Sequence, residues 1–148
     1  MNVEKIIKTK KEIPLRPRTL IHMQLIVNSV SEKITAVLKP FDVSTQQFNV
    51  LRILRGQNGK PANLSTISER MVSKMSNTTR LVDKLLAKEY VERKICPENR
   101  RKVEISITTK GIEALEHMDA AMLQAENELT ANLTDQELIK LNQILDKF

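Results

Sequence analysis

Apolar residues recur at every third or fourth position along most of this chain, the spacing that places them on one face of an α-helix. The spacing predicts seven helices, over residues 3–12, 19–38, 42–56, 63–71, 75–86, 109–129 and 133–148. Glycine is scarce, with 3 residues among 148, so tight turns are few. The pattern therefore predicts a mainly α-helical protein.

Residues that favour helix starts stand in front of two of these segments. Asp42 or Ser44 can cap the third helix, and Asn63 or Ser65 can cap the fourth. The fourth and fifth helices are short and are joined by only a few polar residues. Those are the proportions of a helix-turn-helix.

The pattern changes from helical to alternating directly after the fifth helix. Apolar and polar residues alternate in YVERKIC and again in KVEISIT, which is typical of β-strands. The basic loop PENRR joins the two stretches. The sequence thus predicts a winged helix-turn-helix, mainly α with a small β-hairpin wing.

The exposed side of the fifth helix carries the most informative chemistry. At about 100° per residue, one face holds Ser76, Thr79, Arg80, Asp83 and Lys84. Short polar groups near the helix start can hydrogen-bond base edges, and longer cations can reach the flanking phosphates. Such a helix fits the major groove of B-DNA but not the narrow major groove of RNA. The plainer interpretation is a solvated face on which Ser76 and Asn77 only cap the helix.

The predicted wing presents Arg100 and Arg101 at its tip, followed by Lys102. An arginine in this position can enter a minor groove or bind a phosphate through its planar guanidinium. A turn that merely improves solubility is the alternative.

Net charge supports a polyanionic partner. The chain carries a formal charge of +6, which divides into +7 over residues 1–63, +5 over residues 64–110 and −6 over residues 111–148. A basic body of this kind attracts DNA, RNA or an anionic membrane surface. A basic, solvated surface without any partner remains possible on charge alone.

The two terminal segments carry more apolar surface than one small domain can bury, which predicts a homodimer. The helix over residues 19–38 and the C-terminal segment both contribute to it. Thr134 and Glu137 have the spacing of a capping box at the start of the last helix.

Composition argues against several other classes of protein. Cys96 is the single cysteine, so an intramolecular disulfide and a cysteine-cluster metal site are excluded. It is either a structural thiol or a redox-sensing one. His22 and His117 are far apart, and a two-histidine metal site closed across two chains is the alternative to simple surface roles. No signal peptide, membrane span or catalytic motif is evident, so we expect a cytoplasmic protein that is not an enzyme and needs no cofactor or metal.

The order of these motifs resembles the MarR family of winged helix-turn-helix transcriptional regulators. The resemblance covers about residues 19–148 and is most specific in TRLVDKLLAKEYVER followed by RRKVEISITTKG. It implies an obligate homodimer whose first and last helices interlock, and a near-palindromic DNA operator. It also implies a repressor or, less often, an activator, released by a small amphipathic ligand bound between the dimerisation and DNA-binding regions or by cysteine oxidation.

The resemblance also implies roles for individual residues. It places the following side chains at the DNA: Ser76, Asn77, Thr79 and Arg80, with Lys84 as a secondary contact, and Arg101 in the minor groove beside Arg100. This chain has Asn99 where the family usually has an aspartate that orients the wing arginine. It has Glu89 where the family usually has glycine, and a left-handed glutamate there would cost about 1 kcal/mol.

We therefore expect one MarR-like unit, with residues 42–110 as the DNA-binding region and residues 1–38 and 111–148 as dimerisation helices. The expected function is sequence-specific DNA-binding regulation, chiefly repression, by a homodimer that a small-molecule effector can release. A chromosome-organising protein of low sequence specificity is the main alternative. A third possibility is an interaction module whose wing binds protein.

Overall fold

The computed structural model of the protein describes residues 2–74, 77–96 and 99–148, with the backbone alone for residues 96 and 99–102. The described part of the chain forms seven α-helices and one β-hairpin, which confirms the predicted fold class. The elements are α1 (Val3–Ile6), α2 (Leu15–Leu38), α3 (Thr45–Arg55), α4 (Leu64–Arg70), α5 (Thr78–Ala87), β1 (Val91–Cys96), β2 (Asn99–Ile107), α6 (Thr109–Thr130) and α7 (Asp135–Leu145).

The first helix is much shorter than the sequence predicted. It ends at Ile6, and Lys8 adopts a left-handed backbone with a φ of 54°, a conformation that rarely continues a helix. The short helix still packs on α2, because Val3 is fully buried and Glu4 Oε1 accepts a 2.6 Å hydrogen bond from Arg18 Nε. The amphipathic pattern of this segment therefore produces a single docked turn.

The second helix begins earlier than predicted, at Leu15 instead of Thr19. Pro17 lies in its first turn, where backbone N–H groups have no helical partner, so the missing N–H of proline is tolerated. The helix ends at Leu38 as predicted, and Pro40 lies in the 3-10 turn that follows.

Ser44, rather than Asp42, caps α3. The Ser44 hydroxyl accepts a hydrogen bond from the backbone N–H of Gln47 at 3.2 Å, and Gln47 Oε1 accepts one from the backbone N–H of Ser44 at 2.8 Å. Asp42 has a left-handed backbone with a φ of 51°, which is not the extended conformation of a helix N-cap. The reciprocal bonds form a capping box.

The predicted caps of α4 and α7 are also formed, and each is identified by its hydrogen bonds. Asn63, rather than Ser65, caps α4, because its side chain accepts a hydrogen bond from the backbone N–H of Thr66. Thr134 and Glu137 form the predicted capping box at the start of α7. Local sequence therefore sets the starts of both helices.

The core lies where α3, α5, α6 and the hairpin meet. Its largest fully buried side chains are aliphatic or methionine: Leu38, Leu51, Leu54, Ile67, Leu85, Ile105, Leu115 and Met118. Only 3% of the chain is aromatic, so branched aliphatic residues and flexible methionines fill the interior. This core holds α5 in place beneath its exposed face.

The hairpin is attached to the helices by a third, very short stretch of pairing. Its strands are antiparallel, with Val91 opposite Ile107 and Ile95 opposite Val103. Ala62 pairs with Ile105 on the other side of β2, through backbone hydrogen bonds of 2.9 and 2.8 Å. The base of the hairpin is thus fixed to the segment that precedes α4.

Glu89 connects α5 to the hairpin in the left-handed conformation, with a φ of 59°. Its carbonyl oxygen accepts a 2.7 Å hydrogen bond from the Thr108 hydroxyl, and its carboxylate lies 2.6 Å from Lys110 Nζ. This is the position at which the family that the sequence resembles usually has glycine, and its backbone is left-handed.

Within the described residues, none of the helices has the length and apolarity required for a bilayer span.

Candidate nucleic-acid interface

The start of α5 is built by Asn77. Its side-chain Oδ1 accepts a hydrogen bond from the backbone N–H of Arg80 at 3.1 Å, so Asn77 is the N-cap. The cap uses the oxygen of the amide, and the amide nitrogen donates no hydrogen bond to any described residue. The capping interpretation is therefore correct for Asn77, and it leaves a donor at the helix start.

The two sides of α5 differ as the sequence predicted. Val82 and Leu85 are fully buried and Thr78 nearly so. The exposed polar and charged side chains of α5 are Thr79, Arg80, Asp83 and Lys84. Burial of one side fixes the rotation of the helix, so the opposite side must face outward.

The neighbouring elements have the order and size of a winged helix-turn-helix. The seven residues of α4 precede α5 in the chain, with Ile67 and Met71 buried. The hairpin follows α5 directly, because β1 begins at Val91. One ion pair connects the exposed face of α5 to the hairpin: Arg93 Nη2 lies 2.6 Å from Asp83 Oδ1.

Some predicted site residues lie outside the described part of the structure. These are Ser76 and the side chains of Arg100 and Arg101. The backbone of residues 100 and 101 belongs to the first residues of β2, close to the end of the hairpin. Their predicted position near the tip agrees with that backbone trace.

Lys84 lies near a carboxylate of the α2–α3 connection. A hydrogen bond from Lys88 and the charges of Lys88 and Lys84 hold the pKa of the Asp42 carboxyl below its ordinary value. Part of the positive charge at this end of α5 is therefore balanced within the protein.

A cavity of about 340 Å³ lies between α2, α3, α6 and the segment after α4. Its apolar lining includes Ile34, Phe48, Met71 and Met122, and its charged lining residues are Arg52 and Glu126. The Arg52 guanidinium lies 5.6 Å from the centre of the Phe48 ring, within range of a cation–π contact. Sequence reasoning did not assign these residues to a site, since aliphatic and methionine side chains at helical spacing serve packing equally well.

A metal site was sought among the residues that the structure describes. No three histidine, cysteine, aspartate or glutamate side chains there are arranged to hold a metal ion. His22 and His117 lie on different helices, α2 and α6. The expectation that the protein needs no metal or cofactor stays a prediction.

Comparison with known proteins yields consistent matches over the chain. The MarR family model matches residues 43–103. The multiple antibiotic resistance protein MarR of Escherichia coli K12 is 32% identical over 131 residues, covering 86% of this chain and 87% of that protein. The HTH-type transcriptional repressor IacR of Pseudomonas putida is 26% identical over 116 residues, covering 78% and 68%. A crystal structure of a mutant E. coli MarR in complex with operator DNA aligns with a TM-score of 0.76 at 26% identity, covering 99% of this chain and 98% of that one.

Proposed function

This chain belongs to the MarR family, and from that premise we propose that it is a sequence-specific DNA-binding repressor of transcription that acts as a homodimer. The proposal is carried by the exposed face of α5, where Thr79, Arg80 and Lys84 stand opposite a fully buried side. The P. putida relative described above is named as a transcriptional repressor, and a mutant of the E. coli MarR was crystallised with operator DNA.

We assign residues 42–110 to DNA binding and residues 1–38 and 111–148 to dimerisation. The family model falls within the first of these ranges. The two terminal segments support the second assignment, because none of the residues of α7 is buried and both segments expose large apolar side chains. The most exposed are Leu15 and Phe148 at 80%, Leu20 at 61% and Ile139 at 59%. A second copy of the chain would remove this surface from water.

The proposed DNA contacts follow the order of the exposed groups along α5. Ser76, Asn77 and Thr79 carry short hydroxyl and amide groups near the helix start, where they can reach base edges. Arg80 can donate two parallel hydrogen bonds to a guanine, and Lys84 can bind a flanking phosphate. In the wing, we assign Arg101 to the minor groove with Arg100 beside it.

A dimer explains how two such faces would bind one operator. Two recognition helices related by a twofold axis bind half-sites roughly 34 Å apart, one turn of the duplex. The segment over residues 111–148 carries a formal charge of −6, so a position at the dimer axis, distant from the phosphates, is electrostatically favourable. Near-palindromic operators follow from this symmetry.

We propose that the cavity between α2, α3 and α6 is the site through which a small amphipathic effector releases the repressor. Its walls come from both assigned regions, since α2 and α6 belong to the dimerisation helices and α3 belongs to the DNA-binding region. An apolar ligand with one polar end suits a lining of Phe48, Met71 and Met122 with Arg52 at its margin. Occupation would change the packing between the regions and hence the spacing of the two recognition helices.

The test is to select bound fragments from the native genome with the purified full-length protein, and to repeat the selection with phenolic ligands and with oxidant. A regulator should enrich a few near-palindromic fragments and should hold them against unrelated DNA by at least about 10³-fold at physiological salt. Binding without such preference would instead identify the low-specificity chromosome-organising protein. Absence of DNA binding would favour the protein-interaction module.

A further inference from the structure

The recognition face of α5 contains a carboxylate, which is unexpected on a surface that should attract phosphates. Asp83 lies on the same exposed side as Thr79, Arg80 and Lys84. An unpaired carboxylate there would repel the DNA backbone. We therefore expect a partner that neutralises the Asp83 carboxylate.

The Asp83 carboxylate forms an ion pair with a residue of the wing. Its Oδ1 accepts a 2.6 Å hydrogen bond from Arg93 Nη2, and Arg93 lies in the middle of β1, opposite Ile105. The bond brings the guanidinium from the hairpin onto the side of the recognition helix. The pair thus joins the two elements that would grip DNA.

The geometry leaves most of the guanidinium available for another partner. An arginine side chain has five N–H donors, and Asp83 accepts from one of them. The Arg93 side chain keeps 35% of its surface exposed, and the Asp83 side chain keeps 53%. The remaining donors can therefore reach a group outside the protein.

The same bond has a consequence for Arg80. Residues three apart on a helix are close enough to form an ion pair, so Asp83 could have bound Arg80. In the described part of the chain Asp83 pairs with Arg93 and Arg80 forms no ion pair. Arg80 consequently keeps its donors for DNA.

We propose that Arg93 is a further DNA-binding residue, which binds a backbone phosphate at the junction of recognition helix and wing, and that Asp83 is the positioning residue that holds its guanidinium there. The inference rests on the proposed function of DNA binding. A surface ion pair of this kind contributes little to folding, so its value lies in the orientation of the arginine. Asp83 then increases specific affinity although its own charge opposes DNA.

This arrangement makes a prediction of unusual sign for Asp83→Asn. The substitution removes one negative charge from the face and should therefore strengthen binding to unrelated DNA. The neutral Oδ1 of asparagine still accepts a hydrogen bond but no longer pairs with the guanidinium charge, so Arg93 is held less firmly and affinity for the selected fragment should fall by up to about tenfold, the value of one charge-assisted hydrogen bond. If Asp83 only repelled the DNA backbone and did not position Arg93, the affinities for the selected fragment and for unrelated DNA would both rise.

Glu92→Gln is the matched control. It causes the same change of charge, and it breaks a pair of similar exposure, in which Glu92 Oε1 lies 2.8 Å from Lys94 Nζ. Both partners of that pair belong to β1, so the pair does not connect the wing to α5. We expect the affinities of this variant for the selected fragment and for unrelated DNA to match those of the wild type or to rise together.

The experiment measures the affinity of the full-length protein for the selected fragment and for an unrelated duplex over a range of salt concentrations. Arg93→Gln should weaken specific binding and reduce the slope of log affinity against log salt by about 1. Asp83→Asn should have no further specific effect in the Arg93→Gln background, whereas Asp83→Glu should keep most of the specific affinity. Thermal midpoints by circular dichroism identify any variant that fails to fold. If Asp83→Asn fails to fold, the two single variants Asp83→Glu and Arg93→Gln are compared instead.

The outcomes separate this inference from the proposed function. Opposite changes in the two affinities for Asp83→Asn support the inference, provided that in Glu92→Gln both affinities stay unchanged or rise together. A wild-type protein that prefers its fragment while Asp83→Asn and Glu92→Gln behave alike overturns the inference alone. A wild-type protein that binds no duplex overturns both.

Discussion

A β-carbon added to Gly111 would stand 2.1 Å from the carbonyl oxygen of Tyr90. Gly111 lies in the first turn of α6, and Tyr90 lies directly before β1. The same carbonyl accepts a 3.0 Å hydrogen bond from the backbone N–H of Thr108, so it cannot move away easily. The absence of a side chain at Gly111 therefore allows α6 to approach the base of the wing.

Gly111→Ala should destabilise the protein strongly. The added methyl group meets backbone rather than a flexible side chain, so α6 and the wing must separate, at a cost of about 3 kcal/mol or more. Denaturant unfolding followed by circular dichroism measures this loss. Gly56→Ala is the control, because its added β-carbon would lie 3.4 Å from two carbonyl oxygens and should change stability by less than about 1 kcal/mol. Equal effects of the two substitutions would contradict the close approach.

Glu89→Gly should be more stable than Glu89→Ala by about 1 kcal/mol, because glycine adopts a left-handed backbone without strain. Both substitutions remove the carboxylate that lies 2.6 Å from Lys110 Nζ. The difference between the two variants in free energy of unfolding therefore measures the cost of the left-handed backbone. Chemical denaturation of the two variants side by side provides the measurement. An alanine variant that equals or exceeds the glycine variant would show that the φ of 59° at Glu89 is not strained.

The docking of α1 should depend on pH. A hydrogen bond from Arg18 holds the pKa of the Glu4 carboxyl below its ordinary value of 4.5. Because the folded-state pKa is lowered, the contribution of Glu4 is complete above the ordinary value and is lost as the pH falls through the lowered one. The methyl signals of Val3, which is fully buried, should report undocking in that acid range. Glu4→Gln should lose this pH dependence of the Val3 signals, and an acid-insensitive wild type would contradict this assignment.

Leu20→Glu should dissociate the proposed homodimer. Leu20 on α2 is 61% exposed within one chain, so the substitution is harmless to a monomer but places a charge in a dimer interface. The dissociation constant should rise by at least about 10²-fold, which analytical ultracentrifugation can measure. Val72→Glu is the control, because Val72 is 89% exposed and lies outside the terminal helices. Sedimentation that is unchanged by Leu20→Glu would place the interface elsewhere.

Much of the fold could be predicted from local pattern, because local interactions determine it. The stop of α2 at Leu38 and the capping box of Thr134 with Glu137 depend on near neighbours in sequence. The left-handed backbone of Glu89 was suggested only by the resemblance to the family, which usually has glycine there. Where two local signals competed, the choice stayed open. Asp42 and Ser44 are both good caps, and in the folded chain the backbone angles and the capping box with Gln47 favour Ser44.

Contacts between distant parts of the chain could not be predicted in this way. Ala62 pairs with Ile105 across more than forty residues, and no periodicity marks a bridge of one residue. Asp83 was placed correctly on the exposed face of its helix, but its partner Arg93 depends on the angle between hairpin and helix. The cavity is hidden for a related reason, since Met122 has the same spacing whether it packs against a neighbour or lines a space.

The proposed sequence-specific binding depends most directly on contacts between Arg80, on the exposed face of α5, and operator base pairs. Fluorescence anisotropy of the full-length protein on a selected fragment and on an unrelated duplex, at physiological salt, tests this dependence for Arg80→Ala and for Lys110→Ala. Lys110→Ala removes the same charge from the first turn of α6, where Lys110 Nζ is paired with the Glu89 carboxylate. Arg80→Ala should lose about 10- to 100-fold in affinity for the selected fragment, with a much smaller loss on unrelated DNA, and Lys110→Ala should lose little on either. Equal, small losses for both variants on both duplexes would contradict the account.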